Sequence, residues 1–164
     1  MSLVRAILAL VVVLAAQAAL GRLWPAGHRY IDFHLLPVIW YGVHGSQRQA
    51  IVVGCFAGWI QDAWFSAGAF GISGLRKSLL GWGLGAIGSR VDLNGAPGCF
   101  AAAASVALID GGLGFMIDQW LDQATPAPGL VELLIRVVAT GLLAVLTFPI
   151  VEKVAAWPIF GRSH

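Results

Sequence analysis

Long apolar runs, separated by short polar or Gly/Pro-rich breaks, fill this chain, and their lengths predict helices rather than strands. Six runs stand out, at approximately 3–23, 31–44, 50–65, 72–89, 98–120 and 130–151. An upright helix needs about 20 apolar residues to cross a bilayer, so the pattern predicts an all-α, polytopic membrane bundle forming one domain over residues 1–164. The second run is the exception. Phe33 to Val43 is too short to cross upright and contains Pro37, which predicts a partial, tilted or re-entrant segment. Breaks are expected at His44–Gln49, at Gly68, Gly71 and Gly74, at Arg90–Pro97 and at Thr125–Gly129, with an interruption of the fifth run at Asp110-Gly111-Gly112. Ala16-Gln17-Ala18 imitates a signal-peptidase site, but the apolar run continues to Leu20, and an uncleaved first span is the preferred reading.

The third run carries the most information. At helical spacing Gly54, Gly58 and Gln61 share a narrow stripe with Asp62 at its edge, while Phe56, Trp59 and Ile60 point the other way. Small residues four apart let two helices approach closely in a membrane, and an acid there marks assembly or recognition. The fourth run repeats the logic. Gly74, Ser78, Gly81, Gly85 and Gly88 form one stripe, Lys77 lies at its margin, and Arg76 points to the opposite side, towards head groups. Lys77 is expected to pair with Asp62 across the intervening turn, because a neutralised pair is cheaper in a bilayer than either charge alone. In the fifth run Asp110 is the deepest carboxylate, readable as a relay, a partner contact or a structural acid.

Composition supports the membrane reading. Hydrophobic residues make up 59% and charged residues 11%, against about 25% charged in soluble domains, and mean hydropathy is +0.82. A net charge of +2 is too small to suggest a nucleic-acid partner. Cys55 and Cys99 read as small core residues, and His28, His34, His44 and His164 lack ligand-like spacing, so neither a metal nor a cofactor is expected. No catalytic constellation is visible, and the expectation is a non-enzyme. Trp24, Trp40, Trp64, Trp120 and Trp157 near run ends read as interfacial anchors. Arg5, Arg48, Arg90, Lys153 and Arg162 on one side are matched by Arg22, Arg29, Arg76, Lys77 and Arg136 on the other; with Arg76, Lys77 and Arg136 set aside as embedded in helix starts, five against two favours both termini inside.

Gly54-x-x-x-Gly58-x-x-Gln61-Asp62, then Gly68 and the Gly71-Ile72-Ser73-Gly74 turn, then Lys77 and a Gly-striped helix ending at Arg90, resembles the MreD family of bacterial rod shape-determining membrane proteins. The short Pro37-containing second run and Asp110 in the fifth also fit. The resemblance is specific over about Pro37 to Gly95 and only hydropathic in the first and last runs. It implies a non-enzymatic inner-membrane subunit of the cell-wall elongation machinery. Such a subunit associates with an MreC-like protein, and through it with the MreB filament and the glycosyltransferase–transpeptidase pair. The family's fold also looks like the substrate-binding S-component of energy-coupling-factor transporters, so a small-molecule-binding transporter subunit is the alternative expectation. Short loops and few convergent polar groups make a small-molecule ligand the lesser expectation.

Overall fold

The computed structural model describes residues 3–24, 27, 30–65, 70–91, 93, 95–121 and 129–155. Pro25, His28, Arg29, the Gly68 part of the turn, Thr125–Pro128 and the tail with Trp157, Arg162 and His164 lie outside them. The described residues form six α-helices and no strand: α1 (Leu3–Leu23), α2 (Leu35–His44), α3 (Gln47–Phe65), α4 (Ile72–Gly88), α5 (Ala96–Trp120) and α6 (Leu130–Ala155).

Two of these, α5 and the Leu130–Lys153 stretch of α6, are long and apolar enough to cross a membrane. Helix α4 is 17 residues long and α2 only 10, while Arg48, Gln61 and Asp62 make α3 more polar. Large apolar side chains cover much of the outside, and a few charged ones lie within. Leu75, Leu79, Trp82, Leu142, Leu146 and Ile150 are all more than half exposed, while Lys77 and Asp110 are at 0% and Asp32 at 4%. Exposed apolar area on this scale needs an apolar surrounding, and buried charge needs a partner.

Several boundaries differ from the sequence reading for identifiable reasons. Gln47–Gln49, expected as a loop, is the first turn of α3. Ser46 Oγ accepts from the Gln49 amide at 3.3 Å and Gln49 Oε1 accepts from the Ser46 amide at 3.2 Å, a reciprocal capping box. Residues 31–34, expected within the second span, are not helical, and α2 starts at Leu35. Helix α5 starts at Ala96, with a proline in its first two positions, where its missing amide costs nothing. It then runs unbroken through Asp110-Gly111-Gly112. Two glycines inside a helix cost roughly 1 kcal/mol each, and the contacts of Asp110 described below outweigh them.

Helix α2 is the hub. Leu35, Leu36 and Ile39 pack into a core with Leu80, Leu84, Ala103, Ala107, Ala144 and Phe148 from α4, α5 and α6. Val38 and Tyr41 face a second core with Leu10 of α1 and Ala50, Val53 and Ala57 of α3. At about 1.5 Å per residue α2 spans only about 15 Å, half a bilayer's hydrocarbon. The irregular approach to α2, residues 31–34, lies against the helices, with Asp32 and His34 buried.

Helices α3 and α4 form the most extensive pair. They run antiparallel with their small residues meeting backbone. A Cβ at Gly54 would strike the Lys77 carbonyl, one at Gly58 the backbone of Ser73 and Gly74, and one at Gly81 the Ala50 carbonyl at 2.5 Å. Gly74 receives the Trp59 indole, Gly85 the Gln47 backbone, and Gly88 the Gly42 carbonyl. Both stripes are therefore used, largely against each other. Of the three side chains expected on α3's outer side, Phe56 and Trp59 are about half exposed, whereas Ile60 packs against the second core.

Candidate functional site: two buried ionic networks

The first network gathers on α2, α3 and α4. Lys77, one turn into α4 and 0% exposed, donates to Asp32 Oδ2 at 2.7 Å and to Gln61 Oε1. Gln61 Nε2 in turn donates to Asp32 Oδ2 at 3.4 Å. Asp32 is delivered by the non-helical approach to α2. Its Oδ1 accepts from the His34 amide at 2.9 Å, the short side-chain turn that aspartate makes two residues on, and lies 3.3 Å from His34 Nδ1. Gln17 of α1, 5% exposed, clamps the same segment: its Oε1 accepts from the Phe33 amide at 3.0 Å and its Nε2 donates to the Ile31 carbonyl at 3.3 Å.

The pairing expected between Lys77 and Asp62 is thus taken by Asp32. Asp62 does different work: its Oδ2 accepts from the Gly71 amide at 2.8 Å and the Ser73 amide at 3.1 Å. The first amides of a helix lack internal acceptors and carry the positive end of its dipole. Gly71, the residue preceding α4, has no side chain to offer and sits at φ +99°, a left-handed geometry that favours glycine. A carboxylate from α3 caps α4 in its place.

The second network joins α4, α5 and α6. Arg76 does not reach outwards as expected. It forks onto Asp110, Nε to Oδ1 at 3.2 Å and Nη2 to Oδ2 at 3.3 Å, the planar bidentate geometry that suits guanidinium and carboxylate. Arg136 Nη2, one turn and a half into α6, donates to the same Oδ2. Gly114 makes room, since a Cβ there would lie 2.6 Å from Arg76 Nη1. Asp110 is therefore one member of a three-residue cluster on three helices rather than a solitary deep acid. The two networks are adjacent, because Arg76 and Lys77 are neighbours in α4 and Arg136 acts electrostatically on Asp32.

Sequence reasoning placed Gly54, Gly58, Gln61, Gly74, Lys77, Gly81, Gly85 and Gly88 in one region, and the structure brings them together. It missed Gln17, Asp32, His34, Arg76 and Arg136. One signal was available: a lysine inside an apolar run must find a carboxylate, and Asp32 precedes the one apolar run too short to cross. Cys99 is buried in the first core, Cys55 is half-buried, and both are free thiols. Trp24, Trp64 and Trp120 are exposed near helix ends. Trp40, grouped with them, instead stacks on His44 at 4.0 Å and meets Phe148 edge-on at 5.0 Å.

Chemically the networks orient helices. Among the described residues no group of three His, Cys, Asp or Glu side chains is placed to hold a metal. A cavity of about 80 Å³ at the opposite end, lined by His44, Cys99, Phe148 and Glu152, is far below the roughly 300 Å³ of small-molecule sites. A second, of about 510 Å³, is an apolar groove opening on the outside of the bundle between α4 and α5. Neither a protein-family model, a curated protein nor a solved structure matches the chain.

Proposed function

We propose that this chain is a multi-pass inner-membrane scaffold of the bacterial cell-wall elongation machinery, acting by helix docking on an MreC-like partner and performing no chemistry of its own. All six helices then lie in or across the membrane, both termini face the cytoplasm, and the ionic networks sit in the outer half of the bundle. One observation carries the reading. The residues that resemble the MreD family, Gly54, Gly58, Gln61, Asp62, Gly74 and Lys77, are the ones that close α3 onto α4, cap α4 and hold the approach to α2. Residues with those roles fix the shape of a docking body. The polar groups that a hydrophilic solute would need are spent on one another: Lys77 with Asp32 and Gln61, Arg76 and Arg136 with Asp110.

Co-purification from native membranes in mild detergent, followed by identification of bound proteins, tests the proposal. It predicts an MreC-like protein in the complex and its loss in Gly58→Leu. A vitamin that raises the unfolding temperature of the purified chain, with no elongation protein bound, would move it to the transporter class; a ligand at 100 times its dissociation constant stabilises by about 2.7 kcal/mol.

A further inference from the structure

The groove between α4 and α5 is used by neither network and needs an occupant. Leu79, Gly83 and Ile87 form one wall and Ala101, Ser105 and Ile109 the other. Apart from the Ser105 hydroxyl and the Trp82 indole N–H, the lining is apolar. Its floor is the buried Leu80, Leu84, Ala102 and Val106, and a Cβ at Gly83 would meet nothing within 4 Å. From Ala101 to Leu113 the α5 wall runs about 18 Å at about 1.5 Å per residue, close to the roughly 15 Å of hydrocarbon in one leaflet. Over that length the groove holds about 510 Å³ of open space. The space suits an acyl chain.

Charge identifies the head group. The groove ends where α4 ends, and Arg90, whose amide bonds the carbonyl of the groove residue Ile87 at 2.9 Å, is exposed at that mouth. Arg48, beside Gln47, is also exposed near this end; Gln47 Nε2 donates to the Trp82 carbonyl at 3.3 Å. In the orientation proposed above this end is cytoplasmic, the leaflet side that carries anionic lipid. We propose that the α4–α5 groove binds one anionic phospholipid of that leaflet, with an acyl chain between Gly83 and Ser105 and its phosphate at Arg90. The site rests on the membrane orientation and not on the scaffold role.

Native mass spectrometry of the full chain, exchanged into detergent with equimolar phosphatidylglycerol and phosphatidylcholine, tests it. Wild type should retain one phosphatidylglycerol at about fivefold preference, the worth of one interfacial cation. Arg90→Gln should lose the preference while keeping lipid, and Ser105→Trp, which fills the groove, should lose both lipids. As a readout that needs no groove-filling variant, phosphatidylglycerol brominated along its acyl chain should quench wild-type tryptophan fluorescence more than that of Trp82→Phe. Equal retention of the two lipids by wild type, or equal quenching in Trp82→Phe, overturns the proposal. So does cross-linking of Ser105→Cys to a co-purifying membrane protein instead of lipid. None of these readouts depends on wall synthesis, so they fail or succeed independently of the scaffold proposal.

Discussion

Removing the Asp32 carboxylate isolates the energetic centre of the bundle. Asp32→Asn keeps an acceptor for the His34 amide, which Asp32 Oδ1 now holds at 2.9 Å, and removes the counter-charge 2.7 Å from Lys77. At that distance, and an effective dielectric of about 20, the attraction is about 6 kcal/mol. Desolvation of both ions takes back much of it, and breaking such a pair from one side costs about 3–5 kcal/mol in well-buried cases. Gln61 Oε1 stays on the ammonium, so Asp32→Asn belongs near 3 kcal/mol. Lys77→Met leaves Asp32 with Gln61, the His34 contacts and the more distant Arg136 charge, and belongs at about 4 kcal/mol. The double variant should cost much less than the sum, giving a coupling of about 2–3 kcal/mol. Reversible unfolding in mixed micelles, monitored by circular dichroism, supplies the four stabilities. The same cycle on Asp62 and Lys77 should give a coupling smaller by at least about 1 kcal/mol, because Asp62 stabilises the start of α4. A larger coupling for Asp62 than for Asp32 would refute the assignment.

Three further outcomes follow from the packing. Gly58→Ala should destabilise by about 1–3 kcal/mol, because its Cβ meets backbone of Ser73 and Gly74, whereas Gly112→Ala, facing open space, should be neutral or gain up to about 1 kcal/mol of helix propensity; equal effects in the same unfolding assay would remove the contact role. Asp110→Asn should cost about 3–5 kcal/mol by stranding two guanidiniums, and Arg136→Met less, because Arg76 keeps its fork on Asp110; the reverse ranking in thermal unfolding contradicts the shared-carboxylate geometry. Gln17→Leu leaves the Phe33 amide without its acceptor, at about 1–3 kcal/mol, and should speed hydrogen exchange at residues 31–34; unchanged protection there argues against the clamp.

The α3–α4 contact was legible because glycine spacing reports directly which helix face can approach backbone, and both stripes lie within continuous helices. The partner of Lys77 was not. It stands 45 residues away on a non-helical segment, where no periodicity says which way a side chain points. Arg76 reads as a lipid-side residue because its position faces away from the glycine stripe, and it does face away. Only the placement of α5, fixed by tertiary packing, turns that direction into a bond with Asp110. The first turn of α3 was readable from Ser46-x-x-Gln49 and was lost to the polarity of Gln47–Gln49. The expected break at Asp110-Gly111-Gly112 followed local propensity, which three-helix packing overrode.

If this bundle is, as proposed, a docking body for wall elongation, its depletion from the cell that carries it must change cell shape. Cell width and the sites of new wall insertion would be followed by fluorescent labelling, with rescue by wild type or by Gly58→Leu. Depletion should give rounded, swollen cells with lateral insertion lost, restored by wild type and not by Gly58→Leu. Cells that stay rod-shaped, with lateral insertion intact after the protein is gone, would contradict the proposal.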